Sequence, residues 1–378
     1  MTIPPLYVDV HVLQSVPPSN LNRDDSGTPK QATFGGAKRA RVSSQAWKRA
    51  TRTHYASAVA ESDRATRTKK IRELLAGRLA KVEGLDAEKA GRLAAALVKP
   101  LGIKASQKKG EESAYLLFFG KTQLDGIIAL LGDRAVELAG LSDDDLDAEI
   151  KQLPVQEELT KGHPAEVALF GRMVADLAAL NVDASVQVAH ALSTHKVQTE
   201  FDYYTAVDDE NTSDSGAGMI GTVEFNSATL YRYATLGIHQ LHENLGDDAP
   251  STAETAGKFV DSFVRSMPTG HQNTFAHRTL PHLVLVTIRT DQPVNLVSAY
   301  EKPVASTHGI AEESAQRLAE ELQSVTSTWG STPALTLATY VQATDKLNDA
   351  FGASLPFPQL LEKVHAAVAG WLEHGEIR

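Results

Sequence analysis

The sequence predicts an α+β fold, and two patterns along the chain support this prediction. Alternation with period two, which is typical of β-strands, occurs near the N-terminus in Tyr7 to Leu13 and returns from Ala184 onwards. Between these regions, from about Glu61 to Leu180, apolar residues recur with helical spacing. Strand patterns on both sides of a helical block indicate a discontinuous sheet domain that carries an all-α insertion.

The first predicted elements are a strand and a long loop. In Tyr7 to Leu13, the side chains of Val8, Val10 and Val12 share one face, as expected for a strand that packs on a core. The segment from Pro17 to Pro29 is rich in Pro, Asn, Asp and Gly. Because these residues favour turns, this segment is predicted to be a loop.

The rest of the chain is predicted from the same two periods. The block from Glu61 to Leu180 contains four periodic runs, and Ser251 to Glu254 has the capping-box spacing that marks a helix start. The predicted helices are Ile71 to Val82, Ala87 to Val98, Thr122 to Ala139, Glu166 to Leu180, one from Ser251, one from about Ile310 to Thr328 and one from Pro358 to Glu373. The later predicted strands are Val186 to Val188, Val223 to Phe225 and Leu283 to Ile288.

Composition excludes several classes of protein. The chain has 378 residues, enough for two or three domains, and 42% of them are hydrophobic, which is ample for a buried core. It contains no cysteine, so disulfide scaffolds, thiolate zinc sites and thiol nucleophiles are excluded. No apolar run approaches the roughly 18 residues that a membrane span needs. The first residues also lack the basic and apolar regions of a signal peptide. We therefore expect a cytoplasmic protein with no membrane partner.

The charge of the chain is unevenly distributed. The net charge of −10 by itself speaks against nucleic acid as a ligand. Residues Ser26 to Ala60, however, contain seven cations and no Asp or Glu, so this segment carries +7 and the remainder carries −17. One interpretation is a solvated basic face, and the other is a surface that binds phosphate groups.

Periodicity within this basic segment favours the second interpretation. On a helix with about 100° per residue, Trp47 lies opposite a narrow polar stripe that consists of Gln45, Lys48, Arg49 and Arg52. The helix is therefore predicted to dock through Trp47 and to present the stripe to a ligand.

The residues before this helix are predicted to extend the basic surface. In the strand that precedes the helix, Arg39 and Arg41 are two residues apart and are predicted to point together away from the core. Ser43 or Ser44 supplies an N-cap oxygen, and the free amides of the first turn form a natural site for an anion. Phe34 to Gly36 contains two glycines, which are predicted to let the backbone pass close to a ligand.

Two motifs suggest a cofactor or a metal, but their contexts are wrong. Gly216 to Gly221 matches the GxGxxG string of dinucleotide-binding proteins, yet a strand pattern follows it where a helix is required. His239 and His242 are three residues apart, but no carboxylate spacing completes a metal site. We expect no metal and no cofactor.

Two acidic pairs leave alternatives open. Asp24 with Asp25, and Asp208 with Asp209, could bind a divalent cation that activates water for phosphodiester cleavage. Alternatively, Asp24 and Asp25 could pair with Arg23 and nearby cations, and Asp208 and Asp209 could shape a loop. The segment from Asp208 to Gly221 has the composition of a hairpin extension, for which a passive loop and a binding role are both open.

Longer motifs resemble a known family. The N-terminal region closely resembles the backbone subunit of the Cascade surveillance complex of type I-E CRISPR systems, and the resemblance extends over most of the chain, being weakest in the helical insertion and beyond about Tyr300. The motifs that carry it are HVLQ (His11–Gln14), LNRDD (Leu21–Asp25), FGG (Phe34–Gly36), RARVSSQAWKRATR (Arg39–Arg52), GRM (Gly171–Met173), AHALSTH (Ala189–His195), YYTAVDD (Tyr203–Asp209), the stretch from Glu224 to Ala234 and QLHENLG (Gln240–Gly246).

The resemblance implies a hand-shaped protein of the repeat-associated RNA-binding superfamily. Its palm would be a modified RNA-recognition-motif (ferredoxin-like) fold, the insertion would be the fingers, and a protruding loop at about 199–221 would be the thumb. Such subunits polymerise head to tail along a CRISPR RNA, and each thumb folds over the RNA held by the neighbouring palm. One nucleotide is flipped out at regular intervals, and the others stay open for pairing with target DNA.

From these arguments we predict a non-catalytic scaffold. Its partners would be CRISPR RNA, the target DNA strand, other copies of the chain and other Cascade subunits. Palm residues would occupy 1–60 and 181–378, with the fingers at 61–180. The predicted RNA-binding residues are Arg23, Lys30, Lys38, Arg39, Arg41, Ser43, Gln45, Lys48, Arg49 and Arg52, and the predicted contacts at the RNA kink are Met173, Tyr204, Thr205 and Val207. The alternative is a metal-dependent ribonuclease that uses a loop aspartate.

Overall fold

The chain folds into two units and passes between them four times. The structure is a computed structural model, which describes residues 3–102, 112–113, 116–174, 177–207 and 217–377. The first unit comprises Met1–His54, Gln187–Ile238 and Ala256–Arg378, and the second comprises Tyr55–Val186 and His239–Thr255. The domain boundaries predicted from the sequence, at 60 and 180, lie within six residues of two points where the chain passes between the units. The return of the chain to the second unit at His239 was not predicted.

The described residues contain both strands and helices. The strands are β1 (Tyr7–Ser19), β2 (Gln31–Phe34), β3 (Ala37–Val42), β4 (Ala65–Thr68), β5 (Leu117–Gly120), β6 (Val186–Val188), β7 (Ala191–Ser193), β8 (Glu200–Val207), β9 (Ala217–Gly237), β10 (Leu283–Arg289) and β11 (Leu335–Tyr340). The helices are α1 (Ser44–Ser57), α2 (Ile71–Leu79), α3 (Ala87–Val98), α4 (Lys121–Ala129), α5 (Ala135–Ala139), α6 (Asp143–Ile150), α7 (Val155–Thr160), α8 (Ala165–Phe170), α9 (Ile238–Asn244), α10 (Ala249–Arg265), α11 (Gln272–Phe275), α12 (Ile310–Trp329), α13 (Asp345–Phe351) and α14 (Phe357–His374). Within these described helices, none is both long enough and apolar enough to cross a membrane.

An antiparallel sheet is the centre of the first unit. Its strand order is β11-β10-β1-β9-β7-β3-β2, and β8 also pairs with β9. β1 lies between β10 and β9, so both of its edges are hydrogen-bonded. Asp9 and His11 are fully buried although they alternate with the buried Val8 and Val10, so both faces of β1 are covered by packing. Helices and an antiparallel sheet together confirm the predicted α+β class.

Two of the apolar clusters formed by the described residues lie in the first unit. One joins β1, β10 and β11 to α12 and α13 and includes Leu285, Leu318 and Phe351. The other lies beneath α1 and joins Trp47 to residues of β3 and β9, including Val42 and Leu230. The second cluster matters for function because it fixes the helix that carries the predicted polar stripe.

The second unit has a helical core, but the prediction that it is all-α is wrong. Its core contains apolar residues of α2 to α7, and it also includes Leu117 and Phe119 of β5. β5 pairs with β4 in an antiparallel two-stranded sheet, and every residue of β5 is buried. A four-residue apolar run is too short to be distinguished from a helical segment by periodicity, which explains the missed strand.

Three predicted helix boundaries are also wrong, each because a residue outside the apolar pattern ends or caps the helix. The predicted helix from Thr122 to Ala139 is divided near Gly132, which has a φ of 53°. The one predicted to continue to Leu180 ends before Gly171, which has a φ of 73°. α10 begins earlier than Ser251, because Asp248 Oδ1 accepts the Ser251 N–H at 2.9 Å.

Candidate nucleic-acid interface

Helix α1 is held in place by its apolar side. Trp47 is fully buried, and the guanidinium carbon of Arg232 lies 3.7 Å from the centre of its ring. Arg232 is buried as well, with the Phe263 ring at 4.7 Å, and its Nη1 donates a hydrogen bond to Gln14 Oε1 at 2.6 Å. The stacking of a desolvated cation on an aromatic face is favourable, so this arrangement fixes the rotation of α1. The prediction that the helix docks through Trp47 is confirmed.

The other side of α1 presents the predicted polar stripe. Gln45 and Arg49 are exposed, and Lys48 and Arg52 are partly exposed. Burial of part of its side chain lowers the pKa of Lys48 from the ordinary value. No carboxylate among the described residues forms an ion pair with Lys48 or Arg49. These two cations are therefore available to an anionic ligand.

The N-terminus of α1 is joined to two loops by hydrogen bonds. Ser43 is the N-cap, since its Oγ accepts the Ala46 N–H at 3.3 Å. The backbone N–H of Ser43 donates to Asn22 Oδ1 at 2.9 Å, and that of Ser44 donates to His190 Nδ1 at 3.3 Å. The Ser43 side chain is largely buried, and its role is to cap α1. The loops that carry Asn22 and His190 lie around this helix start.

His190 is a residue of this site that the sequence analysis did not single out. Arg41 Nη1 lies 3.4 Å from its Nδ1, which also accepts the Ser44 N–H. Because Nδ1 is an acceptor, the neutral ring carries its proton on Nε2. Burial, and then the positive charges of Arg41 and Lys30, lower the pKa of His190. The spacing of residues gave no signal for this cluster, since three separate segments bring Lys30, Arg41 and His190 together.

The prediction that Arg39 points away from the core with Arg41 is wrong. Arg39 is fully buried, and each of its five N–H groups donates to a backbone carbonyl. The acceptors are the carbonyl oxygens of Phe34, Ser193, Thr194, Tyr300 and Glu301, at 2.8 to 3.3 Å. With no donor left for a phosphate, Arg39 joins segments of the first unit and is removed from our set of RNA contacts.

Of the two glycines in the β2–β3 turn, Gly35 packs against the protein itself, so the prediction that it lets the backbone approach a ligand is wrong for Gly35. Gly35 and Gly36 have φ values of 56° and 70°, as a two-residue hairpin turn with two left-handed positions requires. A Cβ added to Gly35 would lie 1.6 Å from the Glu301 carbonyl oxygen. The space next to Gly36 is open.

The two remaining predicted cations, Arg23 and Lys38, are both exposed. Arg23 lies in the loop between β1 and β2, where its Nη1 donates a hydrogen bond to His271 Nε2 at 2.7 Å. Lys38 lies in β3 beside the turn. Both are therefore on the surface of the first unit, with Lys30, Arg41, Lys48 and Arg49.

Asp24 forms its own loop. Its Oδ1 accepts the backbone N–H groups of Ser26 and Thr28 at 2.9 and 3.1 Å. Asp24 therefore shapes its own loop, a role that differs from the predicted pairing with Arg23 and nearby cations, and Asp25 beside it is exposed. Asp208 and Asp209, the other acidic pair, lie outside the described residues.

The predicted thumb loop contains a two-stranded arm. β8 pairs with the first part of β9, and the rest of β9 pairs with β1 in the central sheet. Tyr204 and Thr205 are exposed and, as neighbours in a strand, point to opposite faces of the arm. A Cβ at Gly221 would lie 2.4 Å from the Tyr204 ring, so this ring packs across the glycine. Val207 ends β8.

Met173 lies in the second unit and is 81% exposed. The turn before it is tightly held, because a Cβ at Gly171 would lie 2.8 Å from the carbonyl oxygen of Val182. The buried side chain of Arg172 holds the turn further by donating hydrogen bonds to the carbonyl oxygens of Leu180, Phe118 and Leu159. The exposed Met173 side chain therefore lies next to a turn that is fixed by packing and hydrogen bonds.

The structure describes the histidines and most of the GxGxxG string that suggested a metal or a nucleotide. In the part of the chain that the structure describes, no group of three or more His, Asp or Glu side chains could hold a metal ion. His242 Nδ1 is hydrogen-bonded to Thr252 Oγ1 at 3.1 Å. The GxGxxG string continues into strand β9, so it lacks the helix N-terminus that binds a pyrophosphate.

A comparison with known protein families shows the family of this chain. Residues 8–363 match the family of CT1975-like proteins. The chain belongs to the CT1975-like family. No curated protein matches the chain.

Two solved structures are similar to this CT1975-like protein over nearly its whole length. A chain of a CRISPR RNA-guided surveillance complex, described as pre-nicking, is 31% identical with a TM-score of 0.82, and the match covers 96% of this chain and 100% of the other. A chain of a second CRISPR RNA-guided surveillance complex is 28% identical with a TM-score of 0.75, covering 96% and 99%. This CT1975-like protein is therefore similar to subunits of CRISPR surveillance complexes.

Proposed function

We propose that this protein binds CRISPR RNA as the backbone subunit of a type I-E surveillance complex. The observation that carries the proposal is the exposed cationic surface of the first unit. It combines Lys48 and Arg49 on α1 with Lys30, Arg41 and His190 at the N-terminus of that helix. The similarity to surveillance-complex subunits supports RNA as the polyanion.

This surface suits a ligand whose sequence varies. Lysine and arginine side chains contact phosphate groups, which are the same in every RNA, and such contacts position a strand without reading its bases. A guide carrier requires this property, since the bases must remain free for pairing with target DNA. The exposed Met173 and Tyr204 are proposed to contact the flipped-out nucleotides, by apolar contact and by stacking.

In this proposal copies of the protein assemble head to tail along the RNA in the cytoplasm, together with other Cascade subunits. The protein acts as a non-catalytic scaffold. The loop-forming hydrogen bonds of Asp24 give that residue a structural role, and within the part of the chain that the structure describes no observation specifically favours the ribonuclease alternative.

The RNA surface is tested by the double substitution Lys48→Ala and Arg49→Ala. We expect affinity for a fluorescein-labelled single-stranded RNA to fall at least about tenfold near 0.1 M salt, and the slope of log affinity against log salt to decrease by about 1.4, which corresponds to two lost phosphate contacts. The measurement is fluorescence anisotropy over a series of salt concentrations.

The matched control replaces two cations on other helices, Lys346→Ala and Lys363→Ala. Lys346 pairs with Glu320 on the surface and Lys363 is exposed, so we expect little change in stability or in the salt slope. An unchanged slope in the α1 variant would contradict the assigned surface. Assembly is tested by native mass spectrometry, in which the number of bound copies should rise in steps with the length of the RNA.

A further inference from the structure

The short helix α11 and the residues around it form an unusual surface loop in the first unit. His271 and Ala276, which flank α11, have φ values of 49° and 46°, in the left-handed region that residues other than glycine rarely adopt. Between them, Gln272, Asn273 and Thr274 are all exposed. Backbone strain costs free energy and is concentrated at functional sites, so its presence on both sides of an exposed polar segment indicates a functional role.

The loop is held by the protein on two sides, so its exposed tip is fixed in position. A Cβ added to Gly270 would lie 2.4 Å from the Leu21 carbonyl oxygen. On the other side, the Phe275 ring lies 5.8 Å from the ring of Phe225 at the base of the arm. Packing of this kind restricts the backbone while leaving the amide side chains of Gln272 and Asn273 in solvent.

The loop is also continuous with the cationic surface. Arg23 donates a hydrogen bond to His271 Nε2 at 2.7 Å, and its neighbour Asn22 accepts the N–H of the α1 N-cap, Ser43, at 2.9 Å. The sequence from Ser266 to His282 contains no Asp or Glu. A strand of RNA that lies on α1 therefore meets no carboxylate of this loop as it continues past Arg23.

From this geometry we infer that the α11 loop is a second contact for the bound single-stranded RNA. Gln272 and Asn273 are assigned as hydrogen-bonding residues for phosphate, ribose hydroxyl or base edges, and His271 is assigned as a positioning residue that orients Arg23. Side-chain amides offer both donors and acceptors, which suits the mixed polar groups of RNA. The inference rests on the proposed function and extends it from α1 to the base of the arm.

The test is the double variant Gln272→Ala and Asn273→Ala, measured with the same labelled single-stranded RNA. We expect affinity to fall about tenfold through loss of two or more hydrogen bonds, with an unchanged salt slope because no cation is removed. The thermal unfolding midpoint should not change, since both side chains are exposed. The matched control, Gln323→Ala with Gln359→Ala, removes two exposed amides from α12 and α14 and should leave the affinity unchanged.

The outcomes separate this inference from the proposed function. If the loop variant binds RNA normally while Lys48→Ala with Arg49→Ala binds weakly, the loop is not an RNA contact and the proposed function stands. If neither variant loses affinity, both proposals fail. If the loop variant binds RNA normally but forms fewer stepwise complexes on a long RNA, the loop contacts a second copy of the protein and the inference is overturned.

Discussion

Helix α1 and strand β3 are neighbours in the sequence and share the basic segment, yet their cations have different roles. On α1 the cations form an exposed stripe opposite Trp47, as helical periodicity predicts. On β3 alternation does not predict exposure, because Arg39 is buried with all of its donors satisfied, whereas Arg41, two residues later, reaches the surface. Residue type and alternation alone did not distinguish these two arginines.

The difference arises from the surroundings of the two elements. A surface helix packs through one side, so its apolar side chains define which side is free. β3 lies between β2 and β7, and the segment at Tyr300 and Glu301 supplies further carbonyl oxygens to Arg39. In such a position an arginine can be held by backbone groups from distant parts of the chain. Exposure therefore follows from local pattern on α1 and from tertiary contacts on β3.

The largest expected effect separates the two arginines of β3. Arg39→Ala should lower the free energy of unfolding by about 3 kcal/mol or more, because several buried carbonyl oxygens lose their hydrogen-bond donors. Arg41→Ala should cost less than about 1 kcal/mol and should instead weaken RNA binding. Urea denaturation followed by circular dichroism measures the first effect. Equal losses of stability in the two variants would contradict the assignment of Arg39 as a structural residue and Arg41 as a surface residue.

A smaller effect is expected at the turn between the two strands. Gly35→Ala places a Cβ against the Glu301 carbonyl oxygen at a positive φ and should destabilise the protein by about 2–3 kcal/mol. Gly36→Ala has the same backbone restriction but open space, and should cost only about 1 kcal/mol. The loss of stability in each variant is measured by its thermal unfolding midpoint. If Gly36→Ala destabilised the protein more than Gly35→Ala, close packing against Glu301 would not be the cause of the destabilisation.

The smallest effect concerns the charge of His190. Burial, Arg41 and Lys30 lower its pKa, so the ring is mostly neutral near pH 7 in the free protein. A bound phosphate would favour the protonated form and raise that pKa, so binding would take up a proton and affinity would increase as the pH falls. We expect RNA to bind about threefold more tightly at pH 5.5 than at pH 7.5.

The pH profile can be assigned to this residue by substitution. His190→Gln retains hydrogen-bonding capacity without the titration, so its profile should be flatter than that of the unchanged protein. The matched control is His308→Gln, at an exposed histidine on a loop of the same unit. Identical profiles in all three proteins would remove His190 from the RNA surface.

The parts of the fold that could be predicted from sequence are those in which local pattern and tertiary environment agree. β1, α3, α12 and α14 were found near their predicted positions, because each packs an apolar face on a core. β5 and β11 were missed, since the burial of short strands is set by their partners. The capping of α10 by Asp248 was missed because Ser251 offered a competing signal of the same kind.

For the candidate site, the sequence by itself determined the basic segment, the polar stripe of α1 and its docking through Trp47. These features depend on residues within one or two helical turns, so spacing along the chain describes them fully. Tertiary contacts set the burial of Arg39, the position of His190 beside Lys30 and Arg41, and the hydrogen bond between the α11 loop and Arg23. The physical reason is that these contacts join residues about 150 to 250 positions apart, where no periodicity connects them.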